Sequence, residues 1–350
     1  MAHATVSEII KTAPDFVRKT ELAAERLGGK VLYATDDFFA EKENLIKSGR
    51  GIFIPDKYTD RGKWMDGWES RRKRTPGHDW CVVQLATAGT ISGFDIDTHF
   101  FLGNHPPHAS IEAAYLPADH GISDWENASV TWIEILSKSP LDPGSQNFYA
   151  CASEAVFTHL RLHIYPDGGV ARLKVYGEVV KNWNAVPPDA LLDLAAAVNG
   201  AQAIRCNDMF FSDMGNLLMP GRGVNMGDGW ETKRNRTPNN RDWVLIRLAH
   251  PGHIEKIVVD TCHFKGNYPD TCSLEGCLSA DDATVLEEQA TWFPILHPQK
   301  LSADHEHVFE SEIVQHDKVS HVRLNIFPDG GISRLRLWGK IGIAHNLATL

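Results

Sequence analysis

One stretch of this chain is written twice, and that duplication restricts the fold more than any other feature. Residues 66–80 read DGWESRRKRTPGHDW, and residues 228–243 read DGWETKRNRTPNNRDW. The Trp, Glu, Arg, Pro and Asp residues keep the same order, with one added residue before the final Asp-Trp of the second copy. Self-similarity over a long distance indicates that a whole structural unit occurs twice in the chain.

Two further motifs extend the duplication across most of the sequence. Asp97 begins DTHFFLGNHP and Asp260 begins DTCHFKGNYP, while Arg161 begins RLHIYPDGGVARLKVYG and Arg323 begins RLNIFPDGGISRLRLWG. The spacing between Asp97 and Asp260 is about 160 residues, far longer than the ~20–50 residues of solenoid repeats. The sequence therefore predicts two homologous domains, residues 1–181 and 182–350, with a linker at 182–188.

Composition and charge exclude several kinds of partner. The chain has 350 residues, enough for two domains that each bury a core. Its net charge is −10, and the basic run at 71–74 is diluted in the second copy, so no nucleic-acid partner is expected. No apolar stretch approaches the ~20 residues of a membrane span, and no signal core precedes the first domain. These features predict a cytoplasmic protein without a membrane partner, whose six unrepeated cysteines are reduced.

The remaining pattern predicts a mainly β fold. Residues 6–27 and 188–199 carry spaced apolar residues and stop near a Gly, which predicts a short helix before each domain. Short β-rich runs follow Trp80 and Trp243, and each Pro-Asp-Gly-Gly between two alternating runs is a hairpin turn signal. Many short strands separated by turns are typical of a β-sandwich, and a jelly roll is the favoured form. We therefore predict two tandem homologous jelly-roll β-sandwich domains, each preceded by a short helix.

Taken together, the motifs DGWExxRxRTPxxDW, DTxxFxGNxP and RLxIxPDGGxxRLxxxG resemble those of the allantoicase family, over both copies and nearly the whole chain. The resemblance implies two jelly-roll repeats, hydrolysis of allantoate to ureidoglycolate and urea, and a homo-oligomer. The residues alone reach only a duplicated β-sandwich with charged loops. A non-catalytic tandem jelly-roll module that binds a carbohydrate or a protein is therefore the alternative, although the repeated Trp residues are expected to be buried and not to form sugar platforms.

The charged and amide residues kept in both copies are candidates for binding allantoate, a small carboxylate with two ureido groups on one carbon. An Arg suits the carboxylate, an Asn can both donate to and accept from a urea group, and an acid or a His can protonate the leaving urea. The expected substrate-binding residues are Arg72, Arg74, Arg234, Arg236, Asp97, Asp260, Asn104 and Asn267. The expected proton-transfer residues are Glu69, Glu231, His99 and His263. The competing interpretation is an ion-pair network that holds the Arg-rich loop, together with Asx-type turns.

Residues that differ between the copies bear on a possible asymmetric site and on metals. His99 faces Cys262 and Phe100 faces His263 in the two copies. The run His305-Glu306-His307 has a His-x-His spacing that metals use, but no partner motif lies near it. The metal ligands are therefore unknown, and the sequence leaves a divalent metal ion open as a cofactor.

Arg161 and Arg323 also recur in both copies. Each lies between apolar neighbours of an alternating run, so it is expected to point away from the core. The sequence leaves two partners open for Arg161: a ligand, or an acid such as Glu112 or Asp167.

Overall fold

The computed structural model describes residues 12–341 of the protein. The chain divides into two compact units, Met1–Lys181 and Asn182–Leu350, referred to below as the first and second domains. The regular secondary structure of each is mostly antiparallel β-strand, which confirms the prediction of a mainly β fold. No helix in the described range is both long and apolar enough to cross a membrane. All six cysteines are unpaired thiols, as predicted.

The first domain contains twelve strands in the described range. They are β1 (Thr20–Glu21), β2 (Lys30–Ala34), β3 (Tyr58–Thr59), β4 (Gly62–Lys63), β5 (Trp68–Glu69), β6 (Asp79–Asp97), β7 (His108–Ala114), β8 (Ile133–Pro140), β9 (Phe148–Ala150), β10 (Val156–Tyr165), β11 (Gly169–Val170) and β12 (Arg172–Val179). Its helical segments are the 3-10 turns Asp15–Arg18, Glu25–Leu27 and Lys42–Ile46.

The second domain repeats this order, with ten strands in the described range. They are β13 (Leu192–Asp193), β14 (Gln202–Cys206), β15 (Trp230–Glu231), β16 (Asp242–Asp260), β17 (Thr271–Cys277), β18 (Phe293–Lys300), β19 (Glu306–Phe309), β20 (Val319–Phe327), β21 (Gly331–Ile332) and β22 (Arg334–Lys340). Its helical segments are α1 (Asp282–Leu286) and the 3-10 turns Trp183–Ala185, Ala197–Asn199, Met214–Leu218 and Met226–Asp228.

A single long strand organises each domain. Strand β6 has 19 residues; its first part pairs with β10 and β2, and its last part pairs with β12 and β9. The strand therefore passes from one sheet layer to the other, and the core fills the space between them. Strand β16 has the same partners in the second domain, β20 and β14, then β22 and β19. Two antiparallel layers joined in this way confirm the predicted pair of jelly-roll sandwiches.

The predicted leading helices are present only as single 3-10 turns. The segment predicted as the first helix contains two 3-10 turns, Asp15–Arg18 and Glu25–Leu27. Between them, Thr20 and Glu21 pair with the edge of β12, and Leu22 is fully buried. Residues 192–193 pair with β22 in the same way. Edge pairing and burial outweigh the helical pattern of the apolar residues. Residues 6–11 of the first predicted helix lie outside the described range.

The predicted Pro-Asp-Gly-Gly hairpin is wrong. Strands β10 and β12 do not pair with each other, because β10 lies between β6 and β7 while β12 lies between β6 and β1. The motif instead carries the chain from one layer to the other and places Gly169 beside Glu69 in the short β11–β5 pair. A Cβ at Gly169 would lie 2.0 Å from the ring of Phe101, so only glycine allows this approach.

The repeated Trp residues of the Asp-Gly-Trp-Glu motif lie in the core. Trp68 and Trp230 are fully buried, and each indole N–H donates a 2.8 Å hydrogen bond to a backbone oxygen, that of Asp36 or Asp208. A buried indole needs such a partner for its N–H group. The structural interpretation of these two Trp residues is confirmed, and their burial also fixes the Glu that follows each of them.

Candidate active site

A glutamate and an asparagine from two different motifs meet in each domain. In the first domain, Asn104 Nδ2 donates to Glu69 Oε1 at 2.7 Å. In the second domain, Asn267 Nδ2 donates to Glu231 Oε1 in the same arrangement. The sequence predicted all four as site residues without showing that they form pairs.

The backbone around the first pair fixes both side chains. Glu69 lies in β5, where its N–H donates to Ala40 O at 3.0 Å. Asn104 O accepts the N–H of Gly169 at 2.8 Å, and a Cβ at Gly168 would lie 2.5 Å from the same oxygen. The Pro-Asp-Gly-Gly loop is therefore pressed between the strand that carries Glu69 and the loop that carries Asn104. This explains why the chain uses two glycines here.

The Glu69–Asn104 pair lies in a cavity of about 580 Å³, called here the first cavity. Three aromatic rings contribute to its wall, and two cationic side chains lie at its edge. Aromatic walls with a few polar groups are typical of a small-molecule site. The rings and the cations are Phe39, Phe53, Phe100, Arg61 and Lys63.

Burial changes the acidity of Glu69. Because the carboxyl group is removed from water, its pKa is raised above the ordinary glutamate value, and the hydrogen bond from Asn104 opposes that rise only in part. Among the described residues, no cation forms an ion pair with this carboxylate. A carboxyl group of this kind keeps its proton to higher pH and can act as a proton donor.

Arg61 and Lys63 are the site residues that sequence reasoning missed. The Arg61 guanidinium donates to Phe38 O at 3.1 Å, and the Lys63 ammonium lies 4.4 Å from the centre of the Phe53 ring. Both belong to the β3–β4 hairpin, which has no counterpart among the described residues of the second domain. A usable signal existed, because the chain between Arg50 and Asp66 is longer than the matching segment of the second copy.

The second cavity, around Glu231 and Asn267, also measures about 580 Å³ but differs in charge. Arg234 is its cation, and Asp270 and Asp329 are two further acids in its wall. Asp329 accepts the N–H of Asn235 at 2.8 Å, and Asp270 forms an ion pair with Lys300. The second cavity is therefore richer in carboxylates than the first.

Of the four arginines predicted to bind substrate, one lines a cavity. Arg234 lines the second cavity, whereas Arg72, Arg74 and Arg236 are exposed and line neither cavity. The loop is held mainly through its backbone, because the N–H of Lys73 donates to Asp167 at 2.7 Å and the N–H of Arg71 donates to Asp36 at 2.9 Å. Ion pairs also hold the first loop, as the competing interpretation predicted, but they join Arg71 to Asp36 and Lys73 to Asp79, each at 2.6 Å, and do not involve Glu69.

Asp97 and Asp260 do not face a cavity. Both are buried at the ends of β6 and β16, and each is held by both N–H groups of one guanidinium. Arg50 binds Asp97 at 2.7 and 2.8 Å, and Arg222 binds Asp260 at 3.0 and 3.1 Å. These carboxylates are buried, are paired with an arginine and line neither cavity, so they hold the loop in place.

The predicted catalytic histidines lie beside the cavities and do not line them. The centre of the His99 ring lies 4.0 Å from that of Phe100, with the two rings tilted by 49°, and Phe100 is the residue that reaches the first cavity. His263 lies 2.8 Å from Gly223 O through Nε2 and is not part of the second cavity wall. The structure therefore gives neither histidine a position from which to protonate a ligand next to the Glu–Asn pairs.

Two open questions from the sequence are settled by contacts. Arg161 pairs with Glu112 at 2.6 Å, and Arg323 pairs with Glu275 at 2.8 Å, so both arginines have an acid as their partner.

His307 uses both ring nitrogens in hydrogen bonds, with Val259 O at 3.0 Å and with the N–H of Ser302 at 2.8 Å. It has no nitrogen left for a metal, so the His-x-His motif is not a metal site.

Comparison with known proteins places this architecture in one family. The family model described as the allantoicase repeat matches residues 20–180 and again residues 192–342. A probable allantoicase of Photobacterium profundum is 52% identical over 94% of this chain and 99% of its own length. A probable allantoicase of Burkholderia mallei is 49% identical over 94% of this chain and 97% of its own length.

A solved structure supports the same assignment. The crystal structure of allantoicase from Saccharomyces cerevisiae superposes with a TM-score of 0.78 and is 40% identical, covering 91% of this chain and 92% of the yeast chain. Both domains, the three repeated motifs and the fold therefore agree with one set of relatives. The chain belongs to the allantoicase family.

Proposed function

We propose that the protein is an allantoicase, a hydrolase that converts allantoate and water into ureidoglycolate and urea. The observation that carries this proposal is that the allantoicase repeat matches both domains. Relatives that are about half identical over nearly their whole length bear the same name. The alternative, a non-catalytic binding module, is not favoured by these relatives.

The first cavity supplies the chemistry that allantoate requires. Arg61 and Lys63 give positive charge for the substrate carboxylate, and the aromatic rings exclude water from the ureido groups. Two cations face the single carboxyl group of Glu69 there. Three carboxyl groups and Arg234 line the second cavity, and of these three acids Asp270 is paired with Lys300; the acids still outnumber the cations there, which disfavours an anion. We therefore assign the reaction to the first cavity, with Glu231 as the residue to compare with Glu69.

Glu69 carries the proton in this proposal. Its protonated carboxyl group donates to the nitrogen of the leaving urea, and that nitrogen keeps the electron pair of the broken C–N bond. A water molecule adds to the same carbon and gives one proton to the Glu69 carboxylate, which restores the acid. Direct displacement by water uses only these two proton transfers. Loss of urea to an imine also removes the N–H proton of the remaining ureido group, and hydration of the imine returns a proton to that nitrogen. Asn104 positions the carboxyl group through Oε1.

The test of the activity is urea release by the purified full-length protein. Allantoate is the substrate, with allantoin and ureidoglycolate as controls. We expect urea from allantoate alone. If no urea forms from any of the three, the protein is a duplicated binding module, and the exposed rings of Phe38, Phe39, Phe210 and Phe211 become the place to look for its ligand.

Replacing Asn104 by Ala tests how the amide controls the acid. The hydrogen bond from Asn104 lowers the pKa of Glu69, so its loss raises that pKa further. Activity that needs protonated Glu69 then persists to higher pH, and the alkaline limb of the kcat profile moves upward. We also expect kcat at its maximum to fall roughly 10-fold, a part of the ~10²–10⁴-fold that a positioned acid supplies. The matched control is Asn267→Ala, which should leave the alkaline limb of the kcat profile at the wild-type pH. If that limb does not move in Asn104→Ala, Asn104 does not position Glu69.

We further propose that the enzyme works in the cytoplasm as a homo-oligomer, with allantoate as its partner and without a nucleic-acid or membrane partner. Apolar side chains around the first cavity support an assembly, because Ile52 is 57% exposed and Leu102 is 70% exposed. Light scattering during size-exclusion chromatography should give a multiple of the 39.0 kDa chain mass. A single species of 39.0 kDa would contradict the assembly.

A further inference from the structure

Three potential metal ligands converge in the second domain, apart from both cavities. The ligand atoms of Cys262, His263 and Asp304 all lie within 4.8 Å of one another. Cys262 is buried, His263 is half-buried and Asp304 is exposed. No other group of three His, Cys, Asp or Glu residues reaches this arrangement among residues 12–341.

The backbone brings these side chains together from two segments. Cys262 and His263 follow β16 after Thr261, and Asp304 lies in the loop that precedes β19. The N–H of His263 donates to Asp304 Oδ1 at 2.7 Å, and the N–H of Asp304 donates to Phe264 O at 3.2 Å. His263 has a φ of 71° and Asp304 a φ of 48°. Both are therefore in the left-handed region, which residues other than glycine adopt uncommonly, although Asp and His adopt it more often than most.

A contact with a backbone oxygen selects the nitrogen of His263 that can bind a metal. Nε2 lies 2.8 Å from Gly223 O, and a carbonyl oxygen can only accept a hydrogen bond. Nε2 therefore carries the proton, and Nδ1 keeps its lone pair. Metal-binding histidines are commonly oriented in this way, with the second ring nitrogen donating to a carbonyl or a carboxylate.

We propose that Cys262 Sγ, His263 Nδ1 and the Asp304 carboxylate bind a Zn²⁺ ion. Thiolate, imidazole and carboxylate are all established zinc ligands, and a thiolate disfavours the harder Mg²⁺ and Ca²⁺ ions. Binding requires the Cys262 thiol to lose its proton to solvent as the Zn–S bond forms. Three protein ligands leave a fourth position for water or for a small ligand. This proposal does not depend on the activity assigned to the first cavity.

The first domain provides an internal comparison on the same backbone. Thr98 N–H donates to Ser145 O there, as Thr261 N–H donates to His305 O in the second domain. The loop following β6 matches the loop following β16, with a φ of 67° at Phe100, and the loop preceding β9 matches the loop preceding β19, with a φ of 61° at Gly144. Phenylalanine and glycine offer no ligand atom, so the first domain cannot form the site. The residues that match Cys262, His263 and Asp304 are His99, Phe100 and Gly144.

This comparison supplies variants whose residues already fit the local backbone. His263→Phe and Asp304→Gly place the residues of the first domain in the second, and Cys262→His exchanges the sulfur ligand for a nitrogen ligand. Cys206→Ser is the control, because this partly buried cysteine lies outside the cluster. Melting temperatures without metal establish that each variant is folded before binding is measured.

The experiment titrates full-length, chelator-treated protein with Co²⁺ as a spectroscopic substitute for Zn²⁺, and then displaces it with Zn²⁺. We expect one cobalt per chain, with a sulfur-to-cobalt charge-transfer band in the near ultraviolet, in the wild type and in Cys206→Ser. His263→Phe and Asp304→Gly should weaken binding at least about 100-fold, since losing a ligand exceeds the ~10–100-fold cost of losing an outer-shell partner. Cys262→His should abolish the sulfur band whether or not cobalt remains bound.

Three results would overturn the proposal. The first is a wild-type protein that takes up no cobalt. The second is unchanged binding in both His263→Phe and Asp304→Gly, because the metal would then be held elsewhere. The third is a sulfur band that persists in Cys262→His, because another cysteine would then be the ligand.

Discussion

Replacement of Glu69 by Gln should lower kcat on allantoate by about 10²–10⁴-fold, the contribution of a positioned general acid. Glutamine has the same shape and can still accept the hydrogen bond from Asn104, so the cavity keeps its geometry. It cannot give up a proton to the leaving urea. KM should therefore change much less than kcat. Initial rates of urea release, together with the melting temperature, measure both effects.

The matched control is Glu231→Gln, the same change in the same motif of the second domain. Because the second cavity holds three carboxyl groups and one arginine, we expect this variant to keep most of the wild-type rate. If Glu231→Gln loses activity and Glu69→Gln does not, the reaction belongs to the second domain. If both variants fold and keep full turnover, neither glutamate is the acid.

Replacement of Arg172 by Met should have the largest effect on stability among the changes considered. Arg172 and Asp66 are both almost fully buried, and Arg172 Nη2 lies 2.6 Å from Asp66 Oδ2. Removing the cation leaves the carboxylate buried, with only the N–H of Ile52 as a close donor to that oxygen. Loss of one partner of a buried ion pair costs about 3–5 kcal/mol of unfolding free energy. For a domain of this size, that corresponds to roughly 6–20 °C in melting temperature.

Arg71→Met is the control for this change. The Arg71 side chain is 62% exposed and pairs with Asp36 at 2.6 Å, and an exposed ion pair contributes at most ~1 kcal/mol. Differential scanning calorimetry on both variants and the wild type gives the comparison. Equal decreases in melting temperature in the two variants would show that burial does not determine the strength of the Arg172–Asp66 contact.

The duplicated motifs allowed much of the fold to be predicted from the sequence. Two copies of each turn motif, spaced by a whole domain, required two similar β-sandwiches. The predictions that were wrong concern features that depend on pairing between strands distant in the sequence. The Pro-Asp-Gly-Gly segment is flanked by alternating runs, as in a hairpin, yet the pairing of β10 with β7 and of β12 with β1 separates those runs. The prediction of a leading helix was wrong for the same reason in the described residues, because Thr20 and Glu21 pair with the edge of β12.

In the candidate site too, repetition in the sequence identified residues, whereas only the fold shows which of them are in contact. Glu69 and Asn104 were identified because they recur, but only the fold shows that one hydrogen-bonds the other. Asp97 recurs too, and its contact with Arg50 explains that recurrence by structure alone. Arg61 was not predicted as a site residue, because it occurs in only one copy and repetition could not identify it.

The most direct test of the whole account is a crystal structure of the Glu69→Gln protein with allantoate. We expect electron density for allantoate in the first cavity, with its carboxylate near Arg61 and a ureido nitrogen within hydrogen-bonding distance of residue 69. That result would join the proposed substrate to the proposed acid. Density for allantoate in the second cavity or elsewhere, with the first cavity empty, would contradict the assignment of the reaction to Glu69.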